Sequence, residues 1–76
     1  MKLYRLVQGA LEIVDPDFDT TTYVNFDGRI FRYSVLDYEG TQIQFGDHEN
    51  LSDLETMTGL DSNDIDMIEN IFLGGE

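Results

Sequence analysis

Downstream of Arg32 the chain contains no lysine or arginine. Residues 33–76 carry eleven carboxylates (Asp37, Glu39, Asp47, Glu49, Asp53, Glu55, Asp61, Asp64, Asp66, Glu69 and Glu76). The first 32 residues hold all four bases (Lys2, Arg5, Arg29, Arg32) against five acids, so they are almost neutral. A formal charge of −12 is thus concentrated in one half of the molecule. Folding must work against that self-repulsion, and a field kept at such a cost points to use in association.

The densest part is Asp47 to Leu73, where eight carboxylates accompany two helical patterns separated by Gly59. Leu51, Leu54, Met57 and Leu60 give the first an apolar face. Ser52 and Glu55 have the spacing of a capping box, and Asn50 is an alternative cap. Gly59 suits the left-handed stop. The second pattern starts at the cap residue Asp61, with Asp64 three positions on. Ile65, Ile68 and Phe72, widened by Met67 and Ile71, form its stripe, with Asp66, Glu69 and Asn70 opposite. Carboxylates three or four apart on a helix repel. Asp53 and Asp61 to Asp64 complement a positive helix N-terminus, whereas Asp66 and Glu69 lie too far along to do so.

Seventy-six residues make a single domain, 1–76, with a sheet part over 1–46 and an acidic helical part over 47–76. A hydrophobic content of 41% with nine aromatics is too apolar for disorder. Residues 3–8 and 11–14 predict one strand interrupted by a bulge or turn at Gly9, and Asp15-Pro16-Asp17 a turn. Asp27-Gly28 predicts a two-residue hairpin turn. That register sets Val24 opposite Phe31 and Thr22 opposite Tyr33, and puts Arg32 beside Tyr23 on the other face. Asp37-Tyr38-Glu39-Gly40 predicts the next turn, leading to Ile43 and Phe45 inward with Gln42 and Gln44 outward. The expected fold is α+β: an antiparallel meander of three to four strands, then two C-terminal helices packed on one sheet face.

Few of the chain's residues are spaced for chemistry. With no cysteine there is neither a disulfide nor a thiolate metal site. Asp15, Asp17 and Asp19 are spaced like the opening ligands of a calcium loop. Thr20 stands where its glycine belongs, however, and Phe26 where its bidentate glutamate belongs, so calcium binding is the weakest reading. His48, between Asp47 and Glu49, has no nucleophile or ligand pattern around it. The expectation is a non-enzyme without metal or cofactor. The opening MKLYRLVQGALEIVD lacks a long apolar run, so no signal peptide or membrane segment is expected, and the cytoplasm is the default location. Leu73-Gly74-Gly75 is similar to the tail of ubiquitin-like modifiers, but the glycines follow a helical stripe and read as its stop.

Over residues 51–70, Leu51, Leu54, Gly59, Leu60, Ile65, Ile68 and Glu69 resemble the apolar skeleton of the helix-turn-helix of Cro-type repressors. Glu55 replaces the small residue of that motif. Asp61, Asn63, Asp64 and Asp66 stand where a DNA reader carries Gln, Arg or Ser. Phosphates would repel such a helix, so the resemblance implies shared packing geometry rather than DNA binding.

In size, acidity and lack of catalytic groups the whole chain is similar to the small phage-encoded inhibitors of restriction and CRISPR nucleases, several of which imitate DNA. That resemblance implies an acidic inhibitor that occludes a basic, nucleic-acid-binding surface of a nuclease or Cas effector. The side chains expected to touch it are Asp37, Glu39, Asp47, Glu49, Asp53, Glu55, Asp61, Asp64, Asp66 and Glu69, with Tyr38 adding packing. The alternative is an antitoxin, immunity-type or regulatory acidic subunit without nucleic-acid mimicry.

Overall fold

Alternating apolar and polar residues, punctuated by residues that tolerate positive φ, lay the first 48 residues out as a continuous meander. The computed structural model describes residues 1–55 and 59–74. Five strands, β1 (Leu3–Val7), β2 (Ala10–Asp15), β3 (Thr20–Phe26), β4 (Phe31–Leu36) and β5 (Gln42–His48), pair antiparallel in sequence order. Two helices follow, α1 (Leu51–Leu54) and α2 (Ser62–Phe72). The α+β class and its order are as the sequence predicts, with five strands rather than three or four.

The additional strand arises at Gly9. Gln8 and Gly9 both take positive φ, 52° and 87°, which is the two-residue turn that matches strand twist. The expected single interrupted strand is therefore the β1–β2 hairpin, with Leu6 opposite Leu11 and Tyr4 opposite Ile13.

At the β3–β4 turn the register differs from expectation by two residues. Phe26 pairs with Phe31, Val24 with Tyr33 and Thr22 with Val35, closed by a four-residue loop over 27–30. Asp27 explains the longer loop: its Oδ1 accepts from the backbone N–H groups of Arg29 and Ile30. A shift of two leaves the strand faces unchanged, so the core prediction survives. The expected Tyr23–Arg32 pair does not form, and Arg32 lies opposite Asn25.

Strand β5 is where the inward set is wrong. Ile43 and Phe45 are exposed, at 57% and 71%, while Gln44, Gly46 and His48 pair with Val35, Tyr33 and Phe31 of the core face. The Tyr33 ring lies over Gly46, where an added Cβ would come within 2.9 Å of Tyr33 Cε1. It also stacks on His48, with centroids 5.8 Å apart. Tyr33 thus fills the space a large β5 side chain would need. A bulge between Val35 and Leu36 absorbs the remaining residue of register.

The core is a single layer between this sheet face and the helices. Leu11, Ile13, Val24, Phe31, Tyr33 and Val35 meet Leu54, Ile65 and Ile68. Phe26 stacks on Phe31 and reaches Phe72 at the end of α2. Helix α1 spans four residues and starts at the alternative cap, Asn50, without a side-chain bond and not at Ser52, while Gly59 takes the left-handed φ of 90° expected of it. The expected core role of Met57 lies outside the described residues. Leu60 packs partly buried against the core. Among the described residues no helix is long and apolar enough to cross a membrane.

Candidate functional site: the acidic helix-bearing side

Alternate connections of a meander lie at opposite ends of its sheet. The turn over 16–19 and that over 37–41 share one end, and the 8–9 turn and 27–30 loop share the other. Seven-residue β5 therefore holds Asp37 and Glu39 roughly 20 Å from Asp47 and Glu49. The sequence-predicted site is thus divided into three groups rather than laid out as one strip.

At the first end Asp37 is half-buried and builds its own turn, Oδ1 accepting from the backbone of Glu39 and Thr41 at 2.9 Å each. Tyr38 stands at the tip, 79% exposed, with Glu39 exposed beside it. At the other end Asp47 and Glu49 are exposed, and Asp47 lies 3.7 Å from Arg32 Nε. The third group covers the helices: Asp53 and Glu55 at α1, Asp61 at the start of α2, then Asp66 and Glu69 along it, all exposed. Glu55, Asp61 and Asp66 converge on a shallow depression of about 200 Å³ floored by Leu60 and Ile65.

Asp64 leaves the set of partner-facing residues because its side chain is fully buried. With Asp61 it forms the reciprocal capping box of α2, its Oδ2 accepting from the Asp61 N–H at 3.1 Å. The same carboxylate accepts from Tyr4 Oη at 2.5 Å and from Lys2 Nζ. Lys2 also donates to the Gly59 carbonyl and lies 3.7 Å from Asp61. A fully desolvated acid is thereby paired with a cation and two further donors. Burial works against the Lys2 ammonium, but the hydrogen bond and charge of Asp64, with Asp61 and Asp15, outweigh it and raise its pKa. Tyr4 is driven up too, first by burial and then by the bond to Asp64. Asp61 is held below the usual carboxylate range, chiefly by the Asp64 N–H it accepts.

This lock escaped sequence reading, although one signal for it existed. Lys2 is the only lysine in the chain, and it alternates with Tyr4 on a strand whose inward positions have the same parity. A second unpredicted network lies on the uncovered sheet face, where Glu12 is buried between neighbours. Its Oε1 accepts from Arg5 at 3.1 Å and its Oε2 from Tyr23 Oη at 2.7 Å. That bond, followed by burial, raises the Tyr23 pKa.

Asp15 Oδ1 accepts from the Asp17 backbone and so serves its turn. Among the described residues no three His, Asp or Glu side chains gather as metal ligands. Comparison with protein-family models, with curated proteins and with solved structures finds no match. The functional reading therefore rests on the charge geometry alone.

Proposed function

We propose that this chain is an acidic binding protein whose helix-bearing side docks on a basic protein surface, of the kind that ordinarily holds nucleic acid, and so occludes it. One observation carries the reading. Asp53, Glu55, Asp61, Asp66 and Glu69 are exposed on that side, while the described base there, Lys2, is held by Asp64. Arg5 and Arg32 sit on the opposite sheet face and Arg29 in the 27–30 loop. Guanidinium and ammonium groups of a partner would meet exposed carboxylates there, Glu55, Asp66 and Glu69 above all, and charge-assisted hydrogen bonds would follow. Such a field speeds encounter and weakens with salt.

Density limits the mimicry. Helix α2, eleven residues long, spans roughly 16 Å, over which duplex DNA would present about nine phosphates. Asp61, Asp66 and Glu69 supply three charges over that length. The chain does not out-charge a nucleic acid; it places fewer carboxylates on a rigid scaffold. The depression between Glu55 and Asp66 is the point where packing adds to charge. Sparse acids also suit an antitoxin- or immunity-type partner that never holds nucleic acid.

The deciding experiment is capture from a lysate with the native chain and with a Glu55→Lys, Asp66→Lys, Glu69→Lys variant. The proposal expects a basic protein that duplex DNA or RNA displaces and that the variant fails to retain, with both chains giving the same circular dichroism. A captured protein that nucleic acid leaves in place moves the reading to the antitoxin class. Retention by the variant removes the acidic side from the mechanism altogether.

A further inference from the structure

The helices cover one face of the sheet and leave the other open. Strand alternation assigns the open face, whose central row runs Arg5, Glu12, Tyr23, Ser34 and Phe45 across the five strands. Its apolar members include Leu3 at 60% and Phe45 at 71% exposure, with Val7, Val14 and Leu36 half-buried. Its charges cancel. Arg5 is bonded to Glu12, and Arg32 lies against Asp47, so two arginines balance two carboxylates. The whole formal charge of −12 consequently resides elsewhere on the molecule.

We infer that the open sheet face is a self-association surface and that its occupant is the same face of a second copy. A basic partner gains nothing from a neutral face and is drawn to the helices instead. Two copies, by contrast, repel through every surface that carries the uncompensated acids, and this face is where they meet without that penalty. A twofold contact also demands that a surface complement itself, and a neutral face whose paired ions are flanked by apolar side chains does so. Five strands about 4.8 Å apart and some 20 Å long give a flat footprint of roughly 500 Å² per copy, near the lower limit for a specific interface. In the dimer the two sheets stack with both acidic sides turned outward, a small contact that forms in a concentration-dependent way.

Sedimentation equilibrium of the full chain from about 1 µM to about 1 mM tests it. The mass should climb from 8.7 kDa to twice that value. Added salt should tighten the dimer by screening the acids, the reverse of its effect on a basic partner, so this result is independent of the proposed function. Leu3→Glu and Phe45→Glu, both at exposed positions, should each weaken association on the order of tenfold. A chain that stays monomeric throughout overturns the inference. So does a dimer indifferent to both substitutions, which would be joined through strand edges or helices. Should either variant lose its fold, methyl shifts of the native chain on dilution decide instead. Val7, Val14 and Leu36 must move, and movement confined to Ile65 and Ile68 refutes the surface.

Discussion

Asp64 shows how one side chain changes meaning between sequence and structure. Its spacing from Asp61 identifies the cap of α2, and the cap forms as expected. The same spacing says nothing about Lys2 and Tyr4, which reach it across 62 and 60 residues. A local pattern cannot disclose so distant a pairing, and an acid in an acidic run is most simply read as solvated. Removing one partner of a buried ion pair costs about 3–5 kcal/mol, and a chain of this length is stable by roughly 4–11 kcal/mol in total. Asp64→Ala should therefore lose about a quarter or more of the stability, read from urea denaturation, whereas Asp66→Ala on the exposed side should change it little. The lock also fixes the alkaline response. Lys2 and Tyr4 hold their protons more tightly in the folded chain than at their ordinary values of 10.5 and 10.0. Their contribution is then complete below pH 10 and is lost as pH rises through the folded values. Melting temperature should fall across that range, and Tyr4→Phe should make the fall shallower.

Elements were legible wherever period and turn chemistry agreed. The α2 stripe, the turn at Asp37–Gly40 and the inward set of β3 and β4 all stand as the residues predict. Strand β5 was misread because Ile43 and Phe45 are the apolar members of its alternation. The deciding neighbour is Tyr33, whose ring claims the space above Gly46, and a ring's orientation is not written in its own strand. Gly46→Ala should consequently destabilise by about 1–3 kcal/mol through overpacking, measured by chemical denaturation. Alanine at exposed Gln42, on the same strand, should be close to neutral. At β1–β2 the break at Gly9 is legible, but whether it is a bulge or a chain-reversing turn is not, since Gln8 is an unusual residue for positive φ.

Across the whole molecule, the imbalance of charge along the chain was plain, but its placement in space was not. Connectivity sends Asp37 and Asp47 to opposite ends of one strand, and alternation carries Arg5 and Arg32 to the face away from the helices. A body with so one-sided a field should melt at higher temperature as sodium chloride is raised, measured at low protein concentration so that association does not contribute. A salt-independent melting temperature would show that self-repulsion is not a term in its stability. The clasp between Lys2 and Asp64 has a further bearing on how the chain comes into being. A polypeptide emerges from the ribosome in order, so β1 waits for a carboxylate that lies 62 residues downstream of Lys2. Until α2 emerges, Lys2 and Tyr4 lack the Asp64 carboxylate that holds them, and the clasped state can be reached only after some sixty further residues have been made.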